Sequence, residues 1–212
     1  MDQTKLREEI CRFGRSLFER GLTPGSSGNI SVRLDDGGWL VTPTNASLGS
    51  LDPARISRLG PDHGLISGDA PTKEIPLHSA LYETRGAARA IVHLHSTHSV
   101  AVSCLADIDP DDVLPPITAY FVMRVGKLKL LPYFPPGDPA LAAAIGAVAA
   151  RHSAVLLANH GPVVAGSSLE AAMNAAEELE ETARLYLLLH GRPTRFLTSE
   201  QVQALALKYP IP

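Results

Sequence analysis

Residues 90–95 read Ala90-Ile91-Val92-His93-Leu94-His95, and residues 155–162 read Val155-Leu156-Leu157-Ala158-Asn159-His160-Gly161-Pro162. Each opens as a continuous apolar run with the pattern of a buried strand, and each runs into histidine. Helical patterns lie on either side of them. Leu6, Ile10, Phe13 and Leu17 fall at helical spacing from an Asp2/Thr4 start, and Gly21 supplies a left-handed stop after Arg20. Pro76 to Thr84, with proline in its first turn, His98 to Leu105 and the alanine-rich Ala140 to Arg151 also read as helices. The longest helix starts at Ser167 or Ser168 and carries Leu169, Ala172, Ala176, Leu179, Ala183, Tyr186 and Leu187 on one stripe.

Further strands complete the pattern. Gly28 to Leu34, the turn Asp35-Asp36-Gly37-Gly38, and Trp39 to Thr42 form a hairpin signal. Weaker strand signals surround Ile56–Leu59 and Leu65–Ile66, beyond a short helix start at Asp52-Pro53. Leu128 to Leu131 is another candidate, and Val163 to Gly166 pairs back on 155–158 as a hairpin. The proline-bearing stretches 109–116 and 132–139 read as irregular loops, a usual place for function. Strands mixed with helices, with neither a repeat nor a linker between them, indicate one layered α/β/α or α+β domain over residues 1–212.

Composition narrows the function classes. The chain has 212 residues, 45% hydrophobic and 19% charged, as a packed globular domain requires. Its 19 Lys+Arg against 22 Asp+Glu, with a pI near 6.2, lack the positive excess that nucleic-acid or anionic-membrane binding draws on. No apolar run is long enough to span a bilayer, and residues 1–5 have no signal-peptide pattern. A cytoplasmic location is the expectation. Cys11 and Cys104 sit among apolar neighbours and are expected to be two buried free thiols.

The chemistry-bearing residues collect around the two apolar runs. His93 and His95 are two apart in a strand, so both imidazoles project from the same face and can aim at one ion. Two core histidines bonded to backbone are the bland alternative. His160, in the tight Asn-His-Gly-Pro turn, adds a third imidazole and favours an open three-histidine metal site. Imidazole suits Zn, Cu, Fe and Ni alike. Glu74, just ahead of a helix in Pro71-Thr72-Lys73-Glu74-Ile75-Pro76, can cap that helix, or it can serve as a fourth ligand and as acid or base. Ser26, Ser27, Gly28, Asn29, Thr44 and Asn45 supply amides and hydroxyls that can cradle phosphate, or simply make a turn-rich hairpin.

Taken in order, Pro24-Gly25-Ser26-Ser27-Gly28-Asn29-Ile30-Ser31-Val32, Val41-Thr42-Pro43-Thr44, Thr72-Lys73-Glu74, His78, His93-Leu94-His95 and Leu157-Ala158-Asn159-His160-Gly161 resemble the class II aldolase family of the fuculose- and ribulose-phosphate type. The resemblance implies an α/β fold of three α/β/α layers, with a central, mostly antiparallel sheet flanked by helices. It also implies a homotetramer with active sites between subunits. By resemblance His93, His95 and His160 ligate Zn²⁺, with Mn²⁺ or Co²⁺ as substitutes, and Glu74 is an acid/base that also reaches the metal. Gly28, Asn29, Thr44 and Thr72 fall where the family holds its substrate phosphate. Tyr120 stands for the proton donor that a neighbouring subunit supplies, with Tyr133 as its rival. Lys73 and Asn45 depart from the sugar aldolases, which carry serine and glycine there. Lys73 is assigned to the substrate phosphate.

The segments Pro71–His78, Leu22–Asn29 and Val41–Leu48 look most like the branch that decarboxylates 3-oxo-tetronate 4-phosphate. The implied reaction is that of a carbon–carbon lyase, releasing carbon dioxide and dihydroxyacetone phosphate through an enediolate stabilised by the metal. The partner is then a small phosphorylated sugar acid. An aldolase or 4-epimerase acting on fuculose or ribulose phosphate is the enzymatic alternative. A non-catalytic module resembling the adducin head is the alternative from another class.

Overall fold

The computed structural model describes residues 2–135 and 137–211; Pro136, within the expected 132–139 loop, lies outside them, as do Met1 and Pro212. The first helix, α1 (Gln3–Glu19), begins where the Asp2 side chain accepts from the Thr4 amide, and it ends just before Gly21 at φ 74°. A hairpin follows, β1 (Asn29–Arg33) and β2 (Trp39–Val41), then two 3₁₀ turns, Leu48–Ser50 and Pro53–Arg55. Next come β3 (Ser57–Leu59), β4 (Leu65–Ser67), α2 (Ile75–Thr84), β5 (Ala90–His93) and α3 (Thr97–Ser103). The chain continues through α4 (Ala119–Arg124), β6 (Lys129–Leu131), α5 (Pro139–Ala149), β7 (Ala154–Leu157) and β8 (Gly161–Gly166). It closes with α6 (Leu169–Leu189) and α7 (Ser199–Lys208).

Among the described residues, eight strands form one sheet in the order β4-β3-β2-β1-β5-β8-β7-β6, antiparallel except for β6 with β7. That parallel pair is joined by α5, because parallel neighbours need a crossover long enough to return the chain. Strand alternation then explains the layers. Val92, Leu156 and Val164 point to a core shared with α1, α3, α4 and α6, whereas Ile91, Val155 and Val163 point to a core shared with α2 and α5. The central strands are buried on both faces, which is why they carry continuous apolar runs.

Three expectations need correction. β5 ends at His93, so His95 belongs to the connection into α3 and not to the strand. Cys104 is exposed at the end of α3, where its sulfur accepts from the Asn159 amide at 3.3 Å; Cys11 is half-buried. Helices α4 and α7 had no counterpart in the sequence reading.

Candidate metal centre

Sheet order gathers the chemistry at one end. Because β1 and β8 both run antiparallel to β5, their starts flank its end: His93 sits opposite Asn29, the first residue of β1, on one side and Val163, the third of β8, on the other. His160 is in the turn from β7 to β8, so it arrives at the same end. That turn requires unusual backbone. Asn159 takes φ 56°, which asparagine tolerates, and Gly161 takes φ 148° where a Cβ would lie 2.2 Å from the Leu94 carbonyl oxygen. Gly28 is under the same constraint: at φ 79°, a Cβ there would meet the His93 carbonyl at 2.9 Å. These glycines are needed first for close approach to the histidine strand.

The three imidazoles converge edge to face, with ring centroids 4.7–4.9 Å apart. His93 Nδ1 faces the Pro162 carbonyl oxygen at 2.9 Å and must donate to it, so the neutral ring carries its lone pair on Nε2. That one lone pair faces two neighbours, His95 Nε2 at 3.1 Å and His160 Nε2 at 3.3 Å. Ligands at the usual zinc–nitrogen distance in a tetrahedron stand about 3.3 Å from one another, which the two spacings from His93 match, and all three rings offer nitrogens within 4.8 Å of each other. Burial, reinforced by His93, pushes the His95 and His160 imidazoliums down to about 4, which leaves both rings neutral and able to ligate at neutral pH. The three-histidine cluster therefore fits a metal ion, and a carboxylate flanks it on one side.

Glu74 stands at that side. It occupies the N-cap position of α2 but makes no capping bond; its carboxylate turns inward instead, with Oε2 3.5 Å from His93 Nε2 and Oε1 3.7 Å from His160 Nε2. Burial raises its pKa, but the electrostatic pull of His93, the hydrogen bond from Asn29 and the smaller pulls of His160 and His78 outweigh it, and the net shift is downward. Glu74 is thus held as a carboxylate.

The remaining candidates are distributed around this centre. The Asn29 side chain is buried and engaged at both ends, Nδ2 donating to Glu74 Oε2 at 2.6 Å and Oδ1 facing His78 Nε2 at 2.6 Å. One of the two Nδ2 protons of Asn29 is thereby committed to Glu74, and its oxygen to His78. Thr72 Oγ1 accepts from the Glu74 amide at 3.3 Å, and Thr72 N bonds Thr42 O, which brings the Thr44 segment alongside. Lys73 is exposed beside Glu74. Tyr133, 60% exposed, lines a cleft of about 550 Å³ over His95 and His160 together with Phe134, Thr97 and Val100. Tyr120 is not in that lining; it is 58% exposed on α4, with the Arg124 guanidinium 5.2 Å from its ring centre. A roomier groove of about 750 Å³ between α1 and the start of α6 mixes arginines with acidic residues, and no group of metal-ligating histidines lies in its described lining.

Sequence reasoning missed the residues behind Asn29. Ser31 lies two positions beyond it on the same strand, and Tyr82 lies four beyond His78 on the same helix; those spacings were readable signals.

Known proteins resemble this chain. A protein of Cupriavidus necator named 3-oxo-tetronate 4-phosphate decarboxylase is 53% identical over 191 residues, 90% of this chain and 88% of its own. The L-fuculose phosphate aldolase of Escherichia coli is 30% identical over 213 residues, 99% of this chain and 96% of its own. The crystal structure of YgbL from Klebsiella pneumoniae superposes with a TM-score of 0.94 at 50% identity, over 97% of this chain and 99% of that one. Residues 8–187 match the pattern described as Class II Aldolase and Adducin N-terminal domain, and the chain that gathers these three histidines belongs to the class II aldolase family.

Proposed function

We propose that this chain is a metal-dependent carboxy-lyase that converts 3-oxo-tetronate 4-phosphate to dihydroxyacetone phosphate and carbon dioxide. The observation that carries the chemistry is the convergence of three imidazole nitrogens beside the Glu74 carboxylate. The name of the 53% identical relative supports the substrate. Zinc is the metal this donor set favours, with Mn²⁺ or Co²⁺ as substitutes; His93, His95 and His160 would hold it, and Glu74 would reach it. When bound, the ion supplies a Lewis acid that stabilises the charge appearing on the substrate carbonyl as carbon dioxide leaves.

The chain's own residues do the rest. The bond between C1 and C2 breaks, and its electron pair stays with C2 and the adjoining carbonyl. One proton then passes to C2, either from Tyr120 of a neighbouring subunit or from Glu74, beside the histidines, once that carboxylate has taken up a proton from solvent. Thr44, Thr72 and Lys73, with the backbone at Gly28, hold the phosphate. Binding energy is best spent on that remote group, because pairing a cation with the departing carboxylate would stabilise the ground state. Homotetrameric assembly with sites between subunits belongs to the same proposal. No helix among the described residues is long and apolar enough to cross a membrane.

The test is metal content measured together with turnover. The purified chain is expected to hold about one divalent ion per subunit and to release carbon dioxide from 3-oxo-tetronate 4-phosphate, in preference to cleaving fuculose or ribulose phosphates. Glu74→Gln should keep the metal and lose about 10²- to 10⁴-fold in kcat. A chain that binds no metal, or that cleaves the sugar phosphates faster, would overturn the reading.

A further inference from the structure

Behind Glu74 runs a buried file of four side chains. Asn29 and Ser31 project from one face of β1, His78 and Tyr82 from one side of α2, and the two periodicities interleave. From the site inward, Asn29 Nδ2 reaches Glu74 at 2.6 Å, His78 Nε2 reaches Asn29 Oδ1 at 2.6 Å, Ser31 Oγ lies 2.7 Å from His78 Nδ1, and the Tyr82 hydroxyl lies 2.9 Å from Ser31 Oγ. His78 and Ser31 are wholly buried, and Tyr82 is 1% exposed.

Only one arrangement of protons satisfies this file. A carboxylate can only accept, so Asn29 turns its amide nitrogen to Glu74 and its oxygen to His78. His78 must then donate from Nε2, which leaves Nδ1 to accept from the Ser31 hydroxyl. Ser31, its proton spent, accepts from Tyr82. The other acceptor near the Tyr82 hydroxyl, the Arg89 carbonyl, lies at 3.5 Å, too far to compete with Ser31 at 2.9 Å. Every proton points toward Glu74. A histidine that merely filled space would need no such chain, and a buried polar network only partly satisfied would be costly.

We infer that His78 is a positioning residue for the reaction: through Asn29 it holds the Glu74 carboxylate in one orientation before the three histidines, and Ser31 and Tyr82 fix the ring tautomer that does so. The inference rests on the acid/base role proposed for Glu74.

Two measurements on the full-length chain test it. In the metal-stripped protein, ¹⁵N NMR of labelled histidine should show the His78 ring as the neutral Nε2–H tautomer; the Nδ1–H tautomer would overturn the inference. In the metal-loaded enzyme, His78→Leu should lower kcat by about 10- to 100-fold with KM and metal content unchanged, and His78→Gln, whose amide can still donate to Asn29, should recover most of the loss. Wild-type kcat in His78→Leu, or no recovery in His78→Gln, would overturn it. Tyr82→Phe removes a single hydroxyl and serves if His78→Leu does not fold: kcat should drop a few-fold at constant KM, and an unchanged kcat counts against the inference. Full turnover in Glu74→Gln would sink the acid/base reading and leave the tautomer result standing. An inactive Glu74→Gln beside a fully active His78→Leu would sink this inference alone.

Discussion

His78 has a thermodynamic signature apart from catalysis. Burial pushes its imidazolium from 6.5 down to about 3, against a smaller upward pull from Glu74. In the unfolded chain the ring titrates near its ordinary value. Between those two points the unfolded state binds a proton that the folded state refuses, so lowering the pH favours unfolding. The penalty is absent above about pH 6.5, grows as pH falls, and levels off below about pH 3, reaching a few kcal/mol. Urea unfolding at pH 7, 5 and 4 should therefore show a steeper acid loss in the wild type than in His78→Leu. Equal slopes would mean that His78 remains protonatable inside the fold. The three ligand candidates and Glu74 could be picked out from their neighbours in sequence. Their engagement could not: Asn29 belongs to the Glu74–His78 file because α2 packs over β1, a contact between segments more than forty residues apart.

At the level of elements, α3 depends on a residue far away in sequence. Its N-cap, Ser96, makes no side-chain capping bond. Glu180 of α6 does that work from across the interface, accepting from the amides of His98 at 2.8 Å and Ser99 at 2.9 Å, from the Ser99 hydroxyl at 2.8 Å, and facing His98 Nδ1 at 2.8 Å. α3 starts two residues after His95, so this cap also seats the loop that carries that candidate ligand. Glu180→Gln would turn an NH₂ toward donors and should cost about 2 kcal/mol of stability in urea melts, with weaker metal binding. Wild-type stability would show that α3 is held by other contacts. Most elements were legible because each has a strong local signal: period-two or continuous apolar runs for strands, caps and stripes for α1, α5 and α6. α4 escaped because it is six residues long and follows Pro115-Pro116. α7 buries none of its residues, so no apolar stripe marked it, although Thr198 and Gln201 form a capping box that the sequence spells out.

For the whole molecule, the proposed assembly makes a claim that a lone chain cannot satisfy. Tyr120 stands 58% exposed and outside the cleft lining, while Phe18, Leu188 and Leu207 leave apolar surface open to solvent. If the tyrosine serves a neighbouring site, His93→Ala and Tyr120→Phe should each be inactive, yet chains of both kinds assembled together in equal amounts should recover about a quarter of the sites by random association. Activity assayed on the co-expressed mixture checks this. No recovery would return the role to a residue of the same subunit, with Tyr133 on the cleft rim first in line.

The sequence by itself determined the layered α/β class, the two apolar strands within 90–95 and 155–158, and the identity of the histidines and Glu74, because these follow from local periodicity and from residue types with few other uses. Only the tertiary structure decided that the β1–β5–β8 order brings Asn29, His93 and His160 to one end of the sheet. It alone turned Glu74 inward instead of onto its own helix, and it alone put Glu180 on α3. Those outcomes depend on strand order and on which helix covers which face, and pairings across dozens of residues leave no periodic trace in a single chain.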